Sequence, residues 1–303
     1  MKNKILITGG TGMLGSRLTE LLLKRGYEVC YLSREGGNRN GITSYKWDIE
    51  TGYVDENSLV GVSHIVHLTG AGIADKPWSV ARKKEIIDSR VKSAELLHEM
   101  LAKNNHAVKS FVSASAIGYY GGDTGSKLLE EATASGNDFL AEVTQKWEQS
   151  ADKIEEIGIR IVKVRIGIVL SSRGGALPKL AMPIKLGAGS YIGNGNQYMS
   201  WIHIDDLCGI FMKAIEDKSI HGAYNAVAPN PVTNKEFTKV LAKTLKRWVL
   251  PLYIPIFLLK LILGEMSVVV TGGSNISCKK ILETGFQFQF RTVESALEEI
   301  YNS

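Results

Sequence analysis

Three cysteines are all that the 303 residues contain. Cys30, Cys208 and Cys278 lie far apart, form no CxxC and have no metal-ligand spacing. Neither a disulfide framework nor a metal site is expected. Cys30 and Cys208 sit in apolar runs and read as core residues, a usage that fits a reducing, cytoplasmic location. Charge of one sign is also scarce. The net charge is +5, and the densest basic cluster, Ala81–Lys84, reads as the solvated face of a helix. No basic stripe marks a nucleic-acid partner. No apolar run is long enough to span a membrane. The longest, 248–263, is broken by Pro251, Pro255 and Lys260, and a span needs roughly 20 apolar residues. It reads as an extended segment followed by a buried helix, with a partner-binding surface as the alternative. Repeats, low-complexity tracts and a clean linker are missing. A leader is not expected either, because the chain enters its first strand directly. What remains is ordinary for a soluble globular protein: 44% hydrophobic and 22% charged residues, with length for one large domain or two smaller ones.

The chain is organised around KILITGGTGMLG, 4–15. Ile5–Ile7 form a short apolar run, glycines follow at 9, 10, 12 and 15, and Leu14, Leu18, Leu21 and Leu22 then recur at helical spacing. Strand, glycine turn and helix in that order make a dinucleotide-binding unit. Gly10 is expected to adopt a backbone conformation closed to other residues. A side chain at Gly12 would hold a pyrophosphate off the backbone, and Gly15 lets the helix lie close. The helix N-terminus presents free N–H groups to phosphate. The expected contacts are Gly9, Gly10, Thr11, Gly12, Met13, Leu14 and Gly15.

A second strand, 27–34, ends in Ser33 and Arg34. An acidic residue there would bind the adenine ribose hydroxyls, whereas Arg34 suits a 2′-phosphate. NADP is therefore expected, with NAD as a second option and an ordinary surface arginine as the alternative. Asp48 ends a third strand, where its carboxylate either accepts from an adenine amino group or caps a turn. In the fourth strand, 63–74, Gly70 and Gly72 allow close backbone approach, with Thr69 and Ala71 between and beside them. His64 and His67, three apart in a strand, point to opposite faces and suit no shared metal. A helix over 78–103 follows. The fifth strand, 108–122, brings Ser113, Ser115, Tyr119 and Tyr120 to the carboxyl end where open α/β sheets bind ligands. A helix at 138–158 and a sixth strand at 159–171 complete the alternation. The expectation is an α/β fold with a doubly wound parallel sheet in a core over 1–171. A smaller substrate lobe over 172–303 sends some segments back to that core. Its polar loop, 187–197, is placed over the substrate cleft. Asp205 or Asp206 is expected to cap a helix running to 216, and another helix starts near Thr233.

TGGTGMLG resembles the TGxxGxxG signature of the extended short-chain dehydrogenase/reductase family. HLTGAG, VSASAIGYYG, VRIGIVL and WIHIDDL resemble further family segments. GEMSVVVTGGSNISCKKILETGFQFQF resembles more narrowly the C-terminal extension of the atypical "epimerase family protein" branch. The resemblance implies a nicotinamide cofactor, a small polar substrate such as a nucleotide sugar, and a Ser, Tyr and Lys catalytic set with YxxxK on one helix. None of the eleven tyrosines has a lysine four residues later. Phe139 and Val143 fall where Tyr and Lys are expected. Ser115, or Ser113 in the alternative register, aligns with the family serine, and Tyr119 or Tyr120 is a substitute phenol unless both only pack. Arg90 aligns with an asparagine that orients the family site; it holds phosphate or is a surface residue. Two readings follow: an NADP-dependent oxidoreductase or epimerase with noncanonical acid–base groups, or a non-catalytic NADP-binding protein acting through a partner. The sequence leaves oligomerisation open.

Overall fold

The computed structural model describes residues 3–250 and 252–302. Its centre is a nine-stranded sheet built from β1 (Lys4–Thr8), β2 (Glu28–Ser33), β3 (Gly37–Arg39), β4 (Ile42–Asp48), β5 (Tyr53–Val54), β6 (Val62–His67), β7 (Ser110–Ala116), β8 (Arg160–Ile166) and β9 (Gly222–Ala226). Their order is β9-β8-β7-β6-β1-β2-β4-β3, with β5 paired to β4. Pairing is parallel from β9 to β4, while β3 and β5 run antiparallel to β4. Central parallel strands are covered on both faces, which is why KILIT and its neighbours are apolar at consecutive positions.

Strand alternation divides the core. Ile5 and Ile7 face α1 (Met13–Lys24), where Leu18 and Leu22 are fully buried in the same cluster. Leu6 faces the other way, into a cluster with Leu97 of α2 (Val80–Lys103) and Ala151 of α3 (Phe139–Asp152). The fold is thus the expected doubly wound α/β sheet. Asn40 and Gly41 turn the β3–β4 hairpin with φ of 50° and 81°, the left-handed pair that a two-residue hairpin loop requires.

Several boundaries differ from the sequence expectation. The helix expected at 78–103 starts at Val80, because the Ser79 hydroxyl caps it by accepting from Arg82 N–H. The fifth strand stops at Ala116, and Ile117–Tyr120 form a single 3-10 turn. The sixth strand breaks at Gly167, whose N–H donates to Ala226 while Ile168 N–H donates to Ser200. Ile168–Leu170 consequently pairs with Trp201–His203 outside the main sheet.

The C-terminal part has its own core around Leu170, Leu177, Trp201, Phe237, Leu241 and Leu297. It joins α4 (Ala176–Lys185), α6 (Asn234–Thr244) and α8 (Val293–Asn302), while β9 returns to the main sheet. Thr233 and Glu236 form a capping box for α6, as its sequence start suggests. In α5 (Ile204–Glu216) the cap is neither expected aspartate. The His203 ring accepts from Asp205 N–H, which frees both carboxylates. Asp205 takes a two-pronged ion pair from Arg17 at 2.6 and 2.8 Å. Buried Asp206 accepts Gln289 N–H and Phe290 N–H at 2.7 and 3.0 Å, tethering the C-terminal segment.

The apolar stretch departs most from expectation. Its helix, α7 (Ile256–Leu263), contains no buried residue. No helix among the described residues is long and apolar enough to cross a membrane. No group of three or more potential metal ligands occurs among them either.

Asp206→Ala leaves two N–H groups without acceptors. It should lower the free energy of unfolding by about 2–4 kcal/mol in urea denaturation, in line with the loss of charge-assisted bonds. Asp205→Ala, on a mostly buried two-pronged pair, should cost about 1.5–3 kcal/mol.

Candidate functional site

The glycine turn is tighter than its spacing alone implies. The positive φ falls on Gly9, at 68°, and Gly10 has none. Gly10 is required for a different reason: a Cβ there would lie 2.3 Å from the Tyr31 ring. At Gly15 a Cβ would come within 2.4 Å of Gly9 O and 2.6 Å of Gly10 Cα, so its absence lets α1 sit against the turn. Gly12 is the N-cap of α1 with no side-chain cap of its own. A Cβ at Gly12 would touch only Gly9 O, at 3.3 Å. The first N–H groups of α1 therefore face open space, which is the arrangement an anion uses. Leu14 packs on the core, and Met13 lies against Gly174 and Gly175.

At the end of β2, Thr11, Ser33, Arg34, Glu35 and Arg39 line one cleft. Ser33 Oγ donates to Glu35 O. Arg39 reaches the cleft through the β3–β4 hairpin and donates to Glu35 at 2.5 Å. Arg34 is exposed and has no hydrogen-bond or ion-pair partner among the described residues. Asp48 closes its own turn: Oδ1 accepts Glu50 N–H at 2.9 Å and Thr51 N–H at 3.3 Å, which lowers its pKa.

Thr69, Gly70, Ala71 and Gly72 follow β6 and connect the glycine turn to α2. A Cβ on Gly9 would lie 3.1 Å from the Leu68 carbonyl. Ala71 N–H donates to Ser89 Oγ, and Ala71 O accepts from Arg90 at 3.0 Å. Gly72 O accepts from Arg82. Arg90 also donates to Ile86 O at 2.9 Å, and its guanidinium lies 4.9 Å from the Trp147 ring centre. Its Nε is buried without a partner. Burial, with Arg82 nearby, lowers its pKa to about 10. No carboxylate neutralises Arg90 among the described residues, unlike Arg82, which pairs with Glu85.

Arg90 lies on the wall of a cavity of about 260 Å³ at the carboxyl ends of β7 and β8. Six glycines contribute to that wall: 118, 121, 122, 167, 272 and 273. Helix α3 contributes Leu140, Val143, Thr144 and Trp147, a helical i, i+3, i+4, i+7 face. Phe139 is not on that face. It packs edge-on against Trp78 at the helix start, 4.7 Å between centres. Val143, the position aligned with the family lysine, is on the wall, while Phe139, aligned with the tyrosine, is turned to Trp78; none of the α3 residues on the wall is a phenol or an ammonium. The 187–197 loop is not on the wall. It packs instead on the apolar segment near Ile254, where Gly193 N–H donates to Ile254 O.

The structure brings Ser115, Tyr119 and Tyr120 together behind the wall. Strand alternation turns Ala116 to the cavity and Ser115 toward α3. Ser115 Oγ donates to Glu148 at 2.6 Å, and Arg165 donates to both Glu148 oxygens at 2.8 and 2.9 Å. Arg165 also donates to the Tyr120 phenol at 3.0 Å and lies 3.5 Å from the Tyr119 ring centre. Tyr120 in turn donates to Asn225 at 2.8 Å. Burial raises the Tyr120 pKa, which favours its neutral form. Ser113 donates to Ala114 O. His203 is committed to α5 and to Glu299, and Tyr191 carries Lys235 over its ring. Arg39, Glu148, Arg165, Thr144 and Tyr198 also belong to this region and were not among the residues singled out from the sequence. The Asn40-Gly41 pair is a local hairpin signal from which Arg39 could have been found; the others required the tertiary fold.

The Arg165–Glu148 pair is buried, so removing one partner strands the other. Arg165→Met should cost about 3–5 kcal/mol of unfolding free energy, and Ser115→Ala about 1.5–3 kcal/mol. Chemical denaturation of both variants checks this, and equal stability to wild type would remove the network's structural role.

Comparison with known proteins agrees with this architecture. Residues 5–226 match the model of the NAD dependent epimerase/dehydratase family, and residues 254–300 match a domain of unknown function, DUF1731. The chain is 35% identical over 300 residues to the epimerase family protein YfhF of Bacillus subtilis strain 168, covering 98% of this chain and 97% of that one. It superposes with a TM-score of 0.87 on human epimerase family protein SDR39U1 (isoform 2), crystallised with NADPH, at 31% identity and 99% coverage of both chains. A nucleoside-diphosphate sugar epimerase from Corynebacterium glutamicum gives a TM-score of 0.81 at 32% identity, covering 99% of this chain and 58% of that one. From its glycine turn through β9, the chain belongs to the NAD dependent epimerase/dehydratase family.

Proposed function

We propose that the chain is an NADP(H)-dependent oxidoreductase acting on a compact molecule with a largely apolar body and one anionic group. The observation that carries this reading is the cavity: glycine and apolar walls around a single arginine that has no carboxylate partner. The residues present fit the cofactor. The open N–H groups after Gly12 suit a pyrophosphate, and Arg34 with Arg39 suits a 2′-phosphate. The human relative's crystallisation with NADPH supports the same assignment. A nicotinamide supplies or accepts a hydride when bound.

The chain's own residues have distinct tasks in this reading. Arg90, held by Ala71 O and Ile86 O, receives the substrate's anion. Leu140, Val143 and Trp147 exclude water from the substrate body. Thr144 and Ser200 donate to Leu140 O and Ser274 O, so their protons are committed. Tyr198, the one tyrosine among the described residues that line the cavity, is the residue assigned to move a proton. Among the described residues no carboxylate, histidine or lysine lines the cavity. That favours simple reduction or oxidation over epimerisation of a nucleotide sugar, whose hydroxyls call for more polar partners. The second reading, a non-catalytic NADP-binding protein, is favoured by the missing Tyr–Lys pair on α3.

Two experiments test the proposal. Arg34→Ala should weaken NADPH binding ten- to a hundredfold with NADH little changed, the loss expected for one charge-assisted contact. Arg39→Ala should show the same selectivity. Calorimetry giving equal losses for both cofactors would remove the 2′-phosphate assignment. The second is a screen of small carboxylates and phosphates for NADPH oxidation, followed by kinetics of variants. Arg90→Met should raise KM at least tenfold, and Tyr198→Phe should cut kcat by about 10²–10⁴. Cofactor binding without turnover across the screen would favour the non-catalytic reading.

A further inference from the structure

We propose that the segment 239–263 is a peripheral docking surface for an anionic lipid bilayer, lying on the membrane and not spanning it. The inference is independent of the cofactor assignment. Its first observation is exposure. Helix α7, IFLLKLIL, has no buried residue. Phe257, Leu261 and Ile262 are 73%, 81% and 67% exposed, and Trp248, just ahead of the segment's prolines, is 91% exposed. Contiguous apolar surface on this scale marks an interaction site. Its start is anchored in the C-terminal core by Leu241, Ala242, Leu245 and Val249, whereas farther along Leu250 N–H donates to Gly189 O and Tyr253–Ile254 pairs with Tyr191–Ile192.

The second observation is charge. Between Glu236 and Glu265 the chain carries Lys239, Lys243, Lys246, Arg247 and Lys260 and no acidic residue. All five cations are exposed, and none has an ion-pair partner among the described residues. Elsewhere in the protein surface cations are commonly paired, as in Lys84–Asp88, Lys103–Glu99 and Lys146–Glu142. An apolar helix, an exposed tryptophan and unpaired cations together match what an interfacial element presents to acyl chains and acidic headgroups.

Geometry and charge decide between occupants. Eight residues of helix extend about 12 Å, against a hydrocarbon core of roughly 30 Å, so the helix cannot span. A second copy of the chain would bring the same patch against itself, since two-fold contacts are self-complementary. Apart from Glu236 near Lys239 and the acidic residues that share a cleft with Lys260, the patch is cationic, and a second copy would set that excess of like charge against itself, an arrangement that repels. An anionic bilayer offers both an apolar depth and opposite charge. The arm continues from α7 into Val268–Thr271, and Val268 and Val269 line the cavity described above. Docking therefore sets the cavity beside the lipid surface.

The test is flotation of the full chain with vesicles of phosphatidylglycerol and phosphatidylcholine in equal parts, compared with pure phosphatidylcholine. The protein should float with the anionic vesicles, and added salt should release it. Phe257→Glu/Leu261→Glu should reduce partitioning at least tenfold with an unchanged urea midpoint, because both side chains are exposed. Lys246→Gln/Arg247→Gln should reduce it roughly fivefold per charge. Trp248 fluorescence, isolated by comparison with Trp248→Phe, should shift to the blue on the anionic vesicles only. Failure to float, or equal flotation with pure phosphatidylcholine, overturns the proposal. So does a concentration-dependent dimer in sedimentation that the Phe257→Glu/Leu261→Glu variant abolishes, since the patch would then be a contact between copies.

Discussion

The close approach of α1 to the turn that precedes it governs the carboxyl edge of the sheet. A methyl group at Gly15 would collide with backbone atoms of Gly9 and Gly10, and one at Gly10 would enter the Tyr31 ring. Both contacts are with rigid groups, so neither can relax cheaply. Because they are missing, the helix starts directly above β1, with its unpaired N–H groups at the edge. Gly9, in turn, lies against the Leu68 carbonyl and so positions the 69–72 segment. That segment is clamped by Arg82 and Arg90 from α2. A chain of backbone contacts thus links the turn to Arg90 and, through it, to the cavity.

Behind the cavity, charge is used for a different purpose. Arg165 and Glu148 are neutralised by one another, and Ser115, Tyr120 and Asn225 complete their hydrogen bonds. A buried pair of this kind holds geometry only while all its partners are present. It fixes α3 against β7 and β8, and so fixes the face that lines the cavity. Arg90 differs in having the burial without the counter-charge. The contrast is between a cation neutralised within the fold and one that is buried with no carboxylate partner among the described residues.

The sequence made the sheet and the glycine turn legible because both depend on local signals: consecutive apolar residues for doubly covered strands, and glycine where backbone approaches backbone. It misassigned the positive φ from Gly9 to Gly10, since spacing does not reveal the Tyr31 ring. It placed the missing pair at Phe139 and Val143; Val143 lines the cavity, while Phe139 turns to Trp78, a contact that helical spacing alone does not reveal. The serines and tyrosines of 113–120 looked catalytic because they cluster near a strand end. Alternation along β7 and the long-range partners Glu148 and Arg165 decide where they point, and neither is visible locally. The helix at the end of the 248–263 stretch was expected to be buried because it is apolar, with an exposed partner-binding surface as the alternative. Burial of apolar residues is a tendency of whole structures, and an exposed apolar run carries information of its own.

The account centres on a site that recognises the 2′-phosphate of NADP(H) at the edge of this sheet. Its most direct test is calorimetric titration of the wild-type chain with NADPH, NADH, adenosine 2′,5′-bisphosphate and adenosine 5′-monophosphate. The account predicts that each 2′-phosphorylated compound binds at least tenfold more tightly than its unphosphorylated counterpart. Equal affinities within each pair, or no binding by any of the four, would contradict it.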